Sequence, residues 1–184
     1  MHERQAIREA IKAQLIGTPP TFATAARDRV FKSREAPLRV AELPAINIYT
    51  DSEPVDPDSG NSAPRELKRT AVIAVEGWVV ASDDVDDRLD DLALEIETAM
   101  DQDLNLTDTA FDSVLVSTEI GINPKGERPM GCVHMEFAVT YHTQIRTVAP
   151  VALFDTADIR VSLDGTQALD DQAHDLVTDI NQEP

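Results

Sequence analysis

"RTAVIAVEGWVVASDDVDDRLDDLALEIETAM", residues 69–100, changes its period part-way along. Its first half belongs to a run that begins at Arg65, alternates while it is charged, and then becomes rich in Val, Ile and Trp. That pattern predicts a long strand over 65–80 that leaves the core at its Arg65 end, with Trp78 in the core. In the second half Val85, Leu89, Leu92, Ile96 and Met100 recur at intervals of 4, 3, 4 and 4, which places them on one face of a helix over 82–100. Six aspartates occupy the nine positions 83–91, and Asp86, Asp87 and Asp90 fall off the apolar stripe. Ser82 or Asp83 can cap the first turn, where acids meet the positive end of the helix dipole.

Working outward, residues 2–16 read as a second helix. Ile7, Ala10, Ile11, Gln14 and Leu15 share one side, and Arg4, Arg8 and Lys12 form a basic stripe at four-residue spacing. Gly17 suits the position after a helix, and Pro19 with Pro20 stops continuation. A short strand is expected over 27–32. Pro37 and Pro44 then bracket a connection into "AINIYT", where Ile46 and Ile48 oppose Asn47 and Tyr49. The stretch 51–64, with three prolines and little to bury, predicts a mobile loop. Residues 111–122 and 129–142 alternate and form a hairpin joined through "NPKGER", with Val133, Met135, Phe137, Val139 and Tyr141 on one face. The fold class expected is therefore α/β of the α+β kind: a single domain whose mixed, mostly antiparallel sheet packs against two main helices. Its boundaries are 1–147, followed by an acidic C-terminal extension, 148–184. In that extension "DIRVSLD" fits one more strand and "TQALDDQAHDLVTDI" a short helix.

At 184 residues with 42% hydrophobic content, the chain can bury about 70% of its unfolded surface. The single cysteine, Cys132, forms no intramolecular disulfide framework and suits a reducing compartment. No secretory leader is expected, and the most apolar window, 71–81, contains Glu76 and is shorter than a membrane helix. The net charge of −18 is unevenly spread, with a balance of +4 over 1–40, −15 over 41–150 and −7 over 151–184. Such a field opposes binding to phosphate backbones. A basic beginning on an acidic body also lets identical subunits attract one another head to tail.

Chemical sites are sparse. A calcium loop starting at Asp84 would place Leu89 at its sixth position, where a glycine is required, and an unbroken helix splays its acids. A solvated or interface face is the better reading of the aspartates. Cys132, His134 and Glu136 share one side of a strand and include zinc-compatible donors, but no second cysteine or paired histidine motif completes four ligands. The sequence has no nucleophile elbow, and its seven glycines are scattered singly, without a phosphate loop. No catalytic residue, cofactor or metal is expected.

Five stretches in order resemble bacteriophage tail terminator proteins of the minor tail protein U type. They are "HERQAIREAIKAQL", "RDRVF" with "LPAINIYT", "RELKRTAVIAVEGWVV", "DDRLDDLALEIETAM" and "RPMGCVHMEFAVTYHT", and the resemblance covers about residues 2–146. The resemblance implies a non-enzymatic virion protein at the head-proximal end of the tail, assembled in the bacterial cytoplasm. It implies a homo-hexameric ring that caps the tail tube, stops its polymerisation and offers the surface for joining the head. The partners implied are other copies of the chain, the tail tube protein and a head-completion or neck protein, with no membrane and no specific nucleic acid. Residues 147–184 extend past the usual end of such a core. A ring requires two unlike patches on each subunit. The candidates are Arg4, Arg8 and Lys12 on one side and Asp86, Asp87 and Asp90 on the other. The alternatives are a neck or head–tail connector subunit and, from another class, a metal-dependent enzyme using the 83–91 aspartates.

Overall fold

The computed structural model describes residues 2–61, 66–80, 83–123 and 130–144. The first helix, α1 (Glu3–Ile16), begins on a reciprocal cap: His2 Nδ1 accepts from the Arg4 N–H at 3.3 Å, and Gln5 Oε1 accepts from the His2 N–H at 3.3 Å. It ends at Gly17, whose φ of +75° is a conformation that a side chain resists; a Cβ there would lie 2.8 Å from the Ala23 nitrogen. Two short strands, β1 (Gly17–Thr18) and β2 (Thr21–Phe22), pair across the Pro19–Pro20 turn. The main sheet contains β3 (Val30–Lys32), β4 (Ala45–Ser52), β5 (Glu66–Val80), β6 (Asp112–Asn123) and β7 (Met130–Gln144). The second helix, α2 (Val85–Asp101), connects toward β6.

The spatial order of that sheet is β3-β4-β5-β7-β6. The β3–β4 pair is parallel and the other three pairs are antiparallel, so the sheet is mixed and mostly antiparallel. This is the expected α+β class, with two helices and one five-stranded sheet. β5 and β7 pair in unbroken register from Glu66↔Gln144 to Val80↔Met130, forming the spine of the molecule.

Both helices cover one face of the sheet. Ile7, Ile11 and Leu15 of α1 and Leu89, Leu92, Ile96 and Met100 of α2 join Ile46, Ile48, Ile73, Val75, Val133, Met135 and Phe137 in one buried cluster. The five stripe residues chosen from the period of α2 are all buried. Gln14 locks the helices together: its Nε2 donates to the carbonyls of Ala99 and Met100 at 2.7 and 3.0 Å, in the last turn of α2, where carbonyls lack a full set of intrahelical partners. Where α2 crosses the spine, glycines make room. A Cβ at Gly77 would meet Leu92 Cδ2 at 2.8 Å, and one at Gly131 would meet Val85 Cγ2 at 2.7 Å.

Three expectations need revision. Trp78 lies on the sheet face opposite the helices, half-buried, with Nε1 donating to Glu76 Oε2 at 3.2 Å. Strand alternation decides this: Gly77 and Val79 face α2, so Trp78 cannot. The α2 N-cap is Asp84, not Asp83, and Ser82 lies outside the described residues. The stretch expected as a loop from 51 is hydrogen-bonded to β5 over its described part. The Asp56 N–H donates to the Lys68 carbonyl, the Thr70 N–H donates to the Pro54 carbonyl, both at 3.0 Å, and Val55 bridges Arg69. β5 runs past the end of β4, so its backbone groups there need another partner, and this segment supplies it. Residues 62–65, the hairpin connection 124–129 and the proposed strand and helix of 148–184 fall outside the described residues.

Candidate assembly surfaces

The basic stripe is half-buried, and its first two members lie beside the Thr50–Glu53 end of β4. Arg8 Nη1 donates to Thr50 Oγ1 at 2.5 Å, and Arg4 Nη1 lies 3.7 Å from Glu53 Oε2. Arg4 and Arg8 therefore contact their own sheet. The reason is Glu53, which follows the end of β4 and is nearly buried. It ion-pairs with Arg69 at 3.0 Å and accepts from the Tyr141 hydroxyl, drawing α1, β5 and β7 to one carboxylate. Burial first, and then the hydrogen bond to Glu53, push the Tyr141 hydroxyl well above its ordinary range. The sequence offered no signal for this node, because Glu53 sits in a stretch read as solvated.

The acidic face is where the helical period placed it. Asp86, Asp87 and Asp90 are exposed, as are Asp91 and Leu94, the latter at 63%. Among the described residues no group of three or more His, Cys, Asp or Glu side chains is disposed to hold a metal ion. α2 begins near Gly131 and the Val80 end of the spine, whereas α1 begins near Thr50 and Glu53. Arg4 and Arg8 thus lie at the opposite end of the sheet from the start of α2, where Asp86 and Asp87 sit.

The face opposite the helices carries a polar row that crosses four strands. Registers place Asn47 beside Glu76, Glu76 beside His134, and His134 beside Glu119. His134 lies between two carboxylates, with Nδ1 3.7 Å from Glu76 and Nε2 3.8 Å from Glu136; Ser117 Oγ donates to Glu136 at 2.9 Å. Cys132, next along β7, has its thiol pushed up to about 12 by burial and then by Glu76, so it is a poor nucleophile. Cys132, His134 and Glu136 do share one side, as their spacing required.

The most apolar exposed surface runs along β6 and the turn before it. Phe111, Val114, Val116 and Ile120 are 69%, 52%, 60% and 48% exposed. β6 is an outer strand of the sheet, and Val116 is the extra residue where its register with β7 shifts. The preceding turn is built on three consecutive non-glycine residues at positive φ, Leu106, Thr107 and Asp108. Asp103 holds them by accepting from the N–H groups of Asn105 and Thr107 at 3.1 and 2.6 Å, and Leu106 is fully buried beneath. The other outer strand, β3, differs in character: the flanking chain from 27 to 39 holds five basic and two acidic residues.

No family model and no curated protein matches this chain. Among solved structures it is similar to a chain from "Virion of native gene transfer agent (GTA) particle", with 12% identity, a TM-score of 0.36, and coverage of 74% of this chain and 96% of that one. At those values the two chains share too little for the likeness to carry weight. Among the described residues no helix is long and apolar enough to cross a membrane.

Proposed function

We propose that this chain is a structural virion protein without catalytic activity: a phage tail terminator whose copies close into a ring on the end of the tail tube. The observation that carries the reading is where the five resembling stretches fall. They supply α1, β3 with β4, β5, α2 and β7, which together make one continuous buried cluster. A resemblance confined to one helix or one strand would carry far less, because amphipathic elements recur in unrelated folds. The surfaces agree with an assembling subunit, since unlike charged and apolar patches sit on separate borders of one sheet. The tail tube protein and a head-completion protein are the partners of the two ring faces, and the virion is the place of action. In the connector alternative the same subunit would act on the head side of the joint.

Purified tail tubes test the assignment. Added protein is expected to cap one end, visible as a ring by negative-stain electron microscopy, and to arrest elongation by free tube protein. Tubes that stay uncapped and elongate at the same rate remove the terminator reading. Binding to heads alone, with tubes unaffected, replaces it with the connector.

A further inference from the structure

The two outer strands of the main sheet differ in chemistry. Residues 103–123, which contain β6, hold four acidic and no basic side chains, together with the exposed Phe111, Val114 and Val116. Residues 27–39, which contain β3, carry five basic and two acidic side chains. Lys32 and Arg34 of that segment are ion-paired with Glu9 and Glu42; Arg27 and Arg39 are its exposed arginines, beside the exposed acids Asp28 and Glu35. Strand order puts these two borders on opposite sides of the sheet, roughly 19 Å apart at about 4.8 Å per strand.

We propose that the β6 border of one copy docks against the β3 border of the next, so that copies join head to tail through unlike sheet edges. The inference rests on the assembling-subunit reading and names the contact within it. Charge selects the pairing. A β6 border meeting a second β6 border would bring Asp112 and Glu119 together with their copies, without a cation from either segment. Two β3 borders would bring together two segments that each carry a net +3. The unlike pairing sets a segment of net −4 against one of net +3 while covering Val114 and Val116, over which arginine stems can lie. The bulge at Val116 interrupts the edge, so the contact is made through side chains and not by extending the sheet. An unlike contact leaves one free edge of each kind at every step, which is the geometry that closes into a ring when the rotation fits.

Two full-length variants test this in sedimentation velocity, each first shown by circular dichroism to keep the wild-type thermal transition. One carries Val114→Lys with Val116→Lys, and the other Arg27→Glu with Arg39→Glu. The wild type is expected to associate, and each variant alone to associate at least about tenfold more weakly. Mixed, they should form a one-to-one heterodimer that grows no further, because each retains one intact border. If the lysine variant fails to fold, Asp112→Arg with Glu119→Arg replaces it and keeps the apolar residues. A wild type that stays monomeric up to about 100 μM overturns the proposal. So does an Arg27/Arg39 variant that associates as the wild type does, since the contact then does not use the β3 border. Association through these borders with tail tubes unaffected leaves the contact standing and removes the terminator. Capped tubes with both variants fully competent do the reverse.

Discussion

Glu53 is the point at which single side chains matter most. Its carboxylate serves Arg69, Arg4 and Tyr141 from three different elements, and its side chain is 10% exposed. Glu53→Gln keeps the shape but removes the charge from a nearly buried pair, so it should lower stability by about 2 kcal/mol in urea unfolding. Both tyrosines of the chain are raised: Tyr141 by burial and Glu53, Tyr49 by burial and Glu76. A raised phenol holds its proton in the folded state, so this contribution is intact below about pH 10, where an unfolded tyrosine titrates. It declines as pH climbs from there toward the raised folded value. Tyrosinate absorbance is therefore expected to stay low just above pH 10 and to rise together with unfolding. A separate tyrosinate step with circular dichroism unchanged would contradict that. Cys132, half-buried and with its thiol at about 12, should react with thiol reagents at pH 8 far more slowly than a free cysteine.

At the scale of elements, α2 separates a buried stripe from an acidic face, and substitutions should respect the division. Leu89 is fully buried, so Leu89→Asp places an unpaired carboxylate among Val, Ile and Met and should cost several kcal/mol, enough to abolish the thermal transition. Asp86→Asn with Asp90→Asn alters exposed positions and should shift stability by only about 0.5 kcal/mol. The contact of α2 with the spine gives a second contrast. Gly77→Ala and Gly131→Ala force a methyl group into side chains within 3 Å and should each cost about 1–2 kcal/mol. Gly121→Ala meets nothing within 4 Å and should be neutral or slightly stabilising. Equal effects at all three glycines would mean that α2 sits farther from the sheet.

For the whole molecule, net charge and border chemistry govern association. The described core closes on itself by Gln144, with both helices and all five main strands contributing to it. A chain ending at residue 147 is thus expected to keep a cooperative unfolding transition, within about 1 kcal/mol of the full chain. Loss of that transition would assign residues 148–184 to the core. Copies carrying −18 each repel at low ionic strength, while the unlike borders attract at short range. Raising salt from 50 to 300 mM in the wild type screens both terms. Neutralising Asp86 and Asp90 should strengthen association at low salt if α2 contributes only to the general repulsion. If those aspartates instead bind a neighbour's α1, the same change should weaken association.

The sequence by itself determined what depends on periodicity. Spacing alone identified α1, α2 and its five-residue stripe, the long strand β5 and the β6–β7 pair, because a helix repeats near 3.6 residues and a strand at 2. It also placed Asp86, Asp87 and Asp90 on an exposed face, since amphipathicity is a local property of a helix. Tertiary structure decided the rest. Which side of β5 received the helices set Trp78 outside the helical core, a choice that alternation leaves symmetric. Which backbone groups β4 left unpaired decided that 51–61 would bond to β5. The Glu53 node depends on residues 16 and 88 positions away, and no local pattern encodes such distances. Strand order, likewise, is set by long-range pairing, and it alone put an acidic, apolar edge and a basic edge on opposite sides of one sheet.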